Sequence, residues 1–216
     1  LINTILLKFS TTLGIRDKEK PIIRWSSVSK PALGGISFYI SYLISTGTYG
    51  IFFNSQELFN DGQIIGLICS VSLAFLMGLA DDAYNTRPWL KFFVQFSCGV
   101  ILILASKFSI QEKSMIIQIF DESYLNYTLT ILWVIGIMNS INMLDNMDGI
   151  TSITSLLIIL CALIFLGIQN SFSQYDFMIL TGTVGSLIAF LFYNWHPAKM
   201  FMGDSGSQFL GLLIAE

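Results

Sequence analysis

The residues of this chain best equipped for chemistry are aspartates that stand at the edges of long apolar runs. GLADDAYNTRPWLK (78–91) sets Asp81 and Asp82 side by side and follows them with Arg87 and Lys91. NSINMLDNMDGI (139–150) carries Asn139, Asn142, Asp145 and Asp148 at steps of three. YNWHPAKMFMGDSGSQFLG (193–211) places Asp204 among Gly203, Ser205, Gly206 and Ser207, just ahead of another apolar run. Carboxylates so placed can take a proton or bind a hard cation. Residues three apart share a helix face, so the series from Asn139 to Asp148 is expected to form one polar stripe lining a water-accessible cleft. The amides of a Gly/Ser-rich turn opening a helix can cradle phosphate oxygens, with Asp204 beside them to hold a magnesium ion.

The elements that must position these groups are membrane spans. The 216 residues are 54% hydrophobic and 12% charged, with a mean hydropathy of +0.70; soluble domains carry about a quarter charged residues. A spanning helix needs ~20 mostly apolar residues, and six full candidates are present: 33–53, 62–80, 89–107, 124–141, 151–168 and 177–195. Partial spans are expected at 1–9 and 207–216, and the run MIIQIF (115–120) reads as a strand or an interfacial piece. The fold class is therefore all-α, a polytopic transmembrane bundle forming a single domain over 1–216, expected to be a piece of a longer protein.

Alternation of the loops gives the aspartates a side. Arg16, Lys18, Lys20, Arg24, Lys30, Arg87, Lys91 and Lys199 fall in one set of loops, and Lys113 with Lys107 at its edge in the other. The basic set marks the cytoplasm, and Asp81, Asp82, Asp145, Asp148 and Asp204 all lie on that side. Each stretch alone has an ordinary explanation as a capped, solvated helix end. Together, five carboxylates and a candidate phosphate turn on one face point to a magnesium-dependent site for an anionic diphosphate, since carboxylates repel phosphate unless a divalent ion intervenes.

Other chemistries fit less well. An EF-hand would need an acidic or amide residue where Met147 stands. GDSG belongs to no serine-protease triad here, because His196 is the chain's single histidine and lies on another loop. An intramembrane aspartyl protease would need GxGD where the chain reads FMGD. Cys69, Cys98 and Cys161 show no metal spacing and read as small buried hydrophobes. No basic block suggests nucleic acid. A cation-coupled transporter is the alternative reading, although the middles of most spans hold no ionisable residue.

These stretches resemble the polyprenyl-phosphate N-acetylhexosamine-1-phosphate transferases. The pieces that carry the resemblance are LGG (33–35), GLADD (78–82) with LKFFVQ (90–95), NSINMLDNMDG (139–149) and FYNWHPAKMFMGDSGSQFLG (192–211), in the family's order. The resemblance implies transfer of a sugar-1-phosphate from a UDP-sugar to a polyprenyl phosphate with release of UMP, at the cytoplasmic face of a bacterial inner membrane. It implies that Asp81 and Asp82 are catalytic, that Asp204 and Asn142 bind Mg²⁺ or Mn²⁺, and that Asp145, Asp148, Asn194, Phe201 and Lys91 bind substrate. Its partners would be the lipid phosphate, the UDP-sugar and the bilayer, with a homodimer as an option. The loop before Gly34 reads SSVSKPALGG rather than TPTMGG, which favours UDP-N-acetylglucosamine over the muramyl-pentapeptide nucleotide.

Overall fold

In a computed structural model, residues 2–13, 31–53, 61–108, 116–169 and 173–216 are described. They form helices α1 (Ile2–Leu13), α2 (Gly34–Phe52), α3 (Gly62–Tyr84), α4 (Pro88–Lys107), α5 (Ser123–Leu144), α6 (Ile150–Gln169), α7 (Gln174–Asn194) and α8 (Gly203–Ala215). Extended pairing among the described residues is limited to a parallel bridge between Ala32 and Phe201. Arg16, Lys18, Lys20, Arg24, Lys30 and Lys113, which carry much of the charge asymmetry, lie outside the described residues.

Local signals in the sequence set the helix ends. The Asp61 carboxylate accepts from the Gln63 amide at 2.9 Å and the Ser173 hydroxyl from the Asp176 amide at 3.0 Å, so α3 and α7 each begin with a side-chain cap. Asn85, at φ 51°, closes α3 in the left-handed region, and Pro88 opens α4 within three residues. The tight α3–α4 hairpin thus holds Asp81, Asp82 and Lys91 at one end of the bundle.

Among the described residues five helices, α3 to α7, are long and apolar enough to cross a membrane, where the sequence pattern predicts six. The exception is α2, a 19-residue helix at the expected place. Its Ser37, Tyr39, Ser41, Tyr42, Ser45, Thr46, Thr48 and Tyr49 lower its hydropathy, but Ser37, Tyr42, Thr46 and Tyr49 are buried against protein. Residues 116–120 are neither strand nor helix. Their amides are held by side chains of α5: Thr130 accepts from Ile117, and Asn126 accepts from Ile119 and Phe120.

At the centre stands α8, packed against α2, α3, α5 and α6. Every residue from Ser205 to Leu213 is buried. Phe209 lies 6.5 Å from Phe38 and 5.8 Å from Tyr42, centroid to centroid, and Phe38 meets Phe190 edge-on at 5.1 Å. Within a bilayer, helix association relies on close packing of small residues rather than on the hydrophobic effect. A methyl on Gly35 would come within 2.2 Å of the Gly206 amide, and one on Gly78 within 2.3 Å of the Asp204 carbonyl oxygen. Cys98 is buried, whereas Cys69 and Cys161 face outward.

This packing predicts a contrast between two chemically identical changes. Gly78→Ala forces α3 off the first turn of α8 and should destabilise the folded protein by about 1–3 kcal/mol. Gly136→Ala meets nothing within 4 Å and should be neutral or slightly stabilising, as alanine is the better helix former. Thermal unfolding of both variants in detergent checks this; equal midpoints would mean that the α3–α8 contact is not tight.

Candidate active site

The first turn of α8 organises the site. Gly203 has φ +79°, and a Cβ there would lie 2.7 Å from Asp82 Oδ2, so both the turn and the approach of Asp82 call for glycine. The next two amides point at that carboxylate: Asp204 N donates to Asp82 Oδ1 at 2.8 Å and Ser205 N to Asp82 Oδ2 at 3.0 Å. Asp82 therefore caps a helix from another part of the chain, using both oxygens. The phosphate-cradling role expected for this turn is thereby corrected, since the amides of 204 and 205 are engaged by a carboxylate.

Asp81 faces the other way. Its Oδ1 accepts from the Thr86 amide at 2.8 Å and the Thr86 hydroxyl at 2.6 Å, while its Oδ2 pairs with Lys91 Nζ at 2.8 Å. Lys91 Nζ also lies 3.4 Å from Asp204 Oδ1 and 3.4 Å from Asn142 Oδ1. Asn142 Nδ2 donates to Asp204 Oδ1 and, at 2.8 Å, to Ser207 Oγ. Asp81, Lys91, Asn142 and Asp204, from four helices, thus meet around one ammonium.

Beneath this cluster lies a layer of amides. Gln95 Nε2 donates to Gln208 Oε1 at 3.1 Å and to Asn139 Oδ1 at 3.3 Å, and Asn139 Nδ2 returns a bond to Gln95 Oε1 at 2.8 Å. Gln95 and Gln208 are each 1% exposed, and they fix the spacing of α4, α5 and α8 one to two turns below the carboxylates. The sequence reading did not single out Gln95, Gln208 or Thr86. A signal was present in the first two, as glutamines in otherwise apolar spans need partners.

The stripe expected from Asn139 to Asp148 is only half helical. α5 ends at Leu144, with Asp145 as its C-cap at φ −76°, ψ 42°, so Asn139 and Asn142 share a face while a turn places Asp145 and Asp148. Asp145 sits beside the Thr151 hydroxyl and the Gly203 amide; burial, reinforced by the charges of Asp204 and Asp82, pushes its pKa up to about 7. Asp148 Oδ2 receives the Ala198 amide at 3.0 Å and contacts His196 Nδ1 at 3.0 Å. Asn194, predicted to bind substrate, is 3% exposed. Its Oδ1 accepts from Gly149 N and Ser152 Oγ, each at 3.0 Å, and its Nδ2 donates to the Met200 carbonyl at 3.1 Å. In this arrangement it ties together the turns that carry Asp148 and Phe201. Phe201 is 37% exposed and is held by backbone bonds to Pro31 and Gly34.

Asp81 Oδ2, Asp204 Oδ1 and Asn142 Oδ1 are hard oxygen donors, the kind that suit Mg²⁺ or Mn²⁺ rather than zinc. Among the described residues no group of three or more His, Cys, Asp or Glu side chains is arranged to hold a metal. The donors fit an ion that takes few protein ligands and fills its shell with water and substrate phosphate, as Mg²⁺ does.

The model of glycosyl transferase family 4 matches residues 64–216, more than half of the chain. The chain belongs to this family. A Bacillus subtilis protein named as a probable undecaprenyl-phosphate N-acetylglucosaminyl 1-phosphate transferase is 28% identical over 188 residues, covering 86% of this chain and 49% of its own. A phospho-N-acetylmuramoyl-pentapeptide-transferase of Streptococcus equi subsp. zooepidemicus is 31% identical over 208 residues, covering 86% of this chain and 57% of its own. A Saccharolobus solfataricus protein, provisionally named a UDP-N-acetylglucosamine–dolichyl-phosphate N-acetylglucosaminephosphotransferase, is 27% identical over 221 residues, covering 99% and 67% respectively. The chain spans about half to two thirds of the length of these relatives. By name they are transferases, and the transporter alternative finds no support among them.

As a member of glycosyl transferase family 4 with five apolar helices, the chain is a multi-pass membrane protein. The matched range includes Asp81, Lys91, Asn142 and Asp204, the four side chains that converge here. Asp145 supplies a test of the surroundings. Its folded pKa of about 7 stands above its ordinary value of 3.8, so the fold holds a proton that the unfolded chain releases, and this group's contribution to stability falls as pH rises from 4 to 7. In metal-free buffer Asp145→Asn should unfold several degrees above wild type at pH 7.5, and the gap should close near pH 4. A gap that is constant with pH would mean Asp145 is not buried as described.

Proposed function

We propose that the protein carrying this chain transfers a sugar-1-phosphate from a UDP-N-acetylhexosamine, with UDP-N-acetylglucosamine favoured by the SSVSKPALGG loop, to a polyprenyl phosphate with release of UMP. The observation that carries this reading is the convergence of Asp81, Lys91, Asn142 and Asp204 around one point at the first turn of α8. Four helices whose middles hold no charged residue bring these polar groups to one end of the bundle. At a membrane edge, a lipid phosphate held by its tail and a nucleotide arriving from the cytosol can meet.

Asp204 and Asn142 are the residues to hold a divalent ion, with Mg²⁺ favoured. Such an ion, when bound, neutralises diphosphate charge and stabilises the charge that develops on the leaving UMP. In the reaction an oxygen of the lipid phosphate bonds to the β-phosphorus of the UDP-sugar as the bond from that phosphorus to the bridging oxygen breaks. One phosphoanhydride replaces another, and UMP leaves with the electron pair. Of the two adjacent aspartates, Asp81 is the better candidate to receive or orient the lipid phosphate, because its partners are the Thr86 and Lys91 side chains as well as one amide. Asp82, with both oxygens on α8 amides, acts by positioning Asp204. Asp145 and Asp148 line the nucleotide side, and Phe201 offers a partly exposed ring for uracil to stack on.

The assay is UMP release by the full-length gene product in detergent with polyprenyl phosphate and Mg²⁺, supplied in parallel with UDP-N-acetylglucosamine and UDP-N-acetylmuramyl-pentapeptide. Release that depends on both lipid and metal is expected with the first nucleotide. Silence with every UDP-N-acetylhexosamine, from folded protein, would overturn the reading. Asp204→Asn and Asp81→Asn should each lower kcat by at least a hundredfold, the scale for losing a group that acts on the transition state. Asp82→Asn should lose activity and also unfold earlier, because one of two buried amides loses its carboxylate acceptor, at a cost of about 1–3 kcal/mol. An Asp82→Asn protein as stable as wild type would remove its positioning role.

A further inference from the structure

The side chain of Lys91 stands where its contacts are least compatible with a bound divalent ion. Its ammonium is 2.8 Å from Asp81 Oδ2, 3.4 Å from Asp204 Oδ1 and 3.4 Å from Asn142 Oδ1. The last two atoms are those assigned above to the metal. Mg²⁺ sits about 2.0–2.1 Å from its oxygen ligands. An ammonium in hydrogen-bond contact with the same two oxygens would share that space and repel the ion at close range. The amide layer beneath restricts retreat of the oxygens, since Gln95 and Gln208 brace the helices that carry Lys91 and Asp204. The lysine, in contrast, sits in the first turn of α4 at the rim of the bundle, on a flexible four-carbon stem. Its side chain keeps 18% of its surface exposed and Asp204 keeps 33%, so a path outward exists.

We propose that Lys91 is a resident counterion displaced by the divalent cation, and that displacement turns its ammonium toward the diphosphate of the nucleotide. In the metal-free protein Lys91 holds the mutually repelling carboxylates of Asp81 and Asp204 together and keeps the site folded. When the cation takes over Asp204 and Asn142, Lys91 retains its closest partner, Asp81, as a tether and gains a free donor face for phosphate. Metal and nucleotide binding are then coupled through one side chain. Ion binding exposes the charge that the second ligand requires, and linkage makes the coupling reciprocal. This rests on the assignment of Asp204 and Asn142 as cation ligands.

Binding measurements on the full-length protein test it without recourse to turnover. Mn²⁺ affinity, read by the free-ion signal in electron paramagnetic resonance, is expected to rise at least fivefold in Lys91→Gln, the lower end of typical coupling between sites. Lys91→Arg, which keeps a cation in place, should show no such gain. Arg87→Gln, which removes an exposed charge nearby, should change Mn²⁺ affinity less than twofold and controls for net charge. UDP is the second probe. Lys91→Gln should weaken UDP binding at least fivefold in Mn²⁺ and leave it unchanged in EDTA. Equal weakening with and without metal would mean that Lys91 always faces the phosphates, and no weakening in either would mean that it never does; each overturns the proposal. The separate control is Asp204→Asn. If that variant binds Mn²⁺ like wild type, the cation assignment itself fails, whereas Asp204-dependent binding with no gain in Lys91→Gln defeats only the displacement.

Discussion

The bond that the rest of the site depends on is the one between the Asp82 carboxylate and the first amides of α8. A helix N-terminus leaves several amides without partners inside the helix, and α8 begins inside the protein rather than in open solvent. Asp82 satisfies two of them from α3, and Asp145 stands beside the Gly203 amide. Negative charge at that end is also favoured by the helix dipole. The consequence is positional: with α8 locked to α3 at this point, Asp204 is presented beside Asp81 and Lys91, and Ser207 one turn further on reaches Asn142.

Two further constraints follow from burying α8 on all sides. Its neighbours must come close, which Gly35, Gly78 and Gly206 permit. Its polar residues call for partners, which Ser207 Oγ has in Asn142 and Gln208 Oε1 in Gln95. In a low-dielectric surround such bonds are stronger, and leaving them unmade is costlier. The amide layer and the carboxylate layer are therefore one construction. The lower fixes helix spacing, and the upper uses that spacing to gather charge.

Much of this was legible in the sequence. The apolar runs located α3 to α7 within a few residues, because spanning helices are specified by length and hydropathy. Asp81, Asp82, Asp145, Asp148 and Asp204 stood out because charge is rare at membrane depth. The failures have identifiable physical causes. Reading Asn139 to Asp148 as one helix missed that Asp145 ends α5, since step-of-three spacing persists through a turn that breaks the helix. Taking the Gly/Ser turn as a phosphate cradle missed Asp82, because nothing in a linear sequence says which carboxylate will reach which amide. Asn194 is expected to bind substrate because it falls on a position of the resembled family; its amide here holds Gly149, Ser152 and Met200, a set of partners no linear pattern announces. α2 fell short in hydropathy because of hydroxyl side chains that face protein, Tyr39 toward Ser72 of α3 and Tyr42 toward Tyr175 of α7, and such a face cannot be told from an aqueous one by composition.

The charge balance of the site explains why it is built from carboxylates at all. Asp81, Asp82, Asp145 and Asp204 gather near one lysine, and the helix terminus supplies only about half a positive charge. With its nearest amides already engaged, that terminus has little left to offer a diphosphate. A site meant to bind phosphate directly would place arginines there, as bidentate donors hold such anions best. An excess of hard oxygens instead suits a divalent ion, and under the proposed function that ion would draw the anionic substrates to the site. The elevated pKa of Asp145 fits the same picture: largely buried and next to Asp204 and Asp82, it holds its proton until rising pH removes it. Several carboxylates around one lysine leave the site electrostatically incomplete, and under the proposed function that incompleteness would let a cation decide when two negatively charged substrates share one membrane edge.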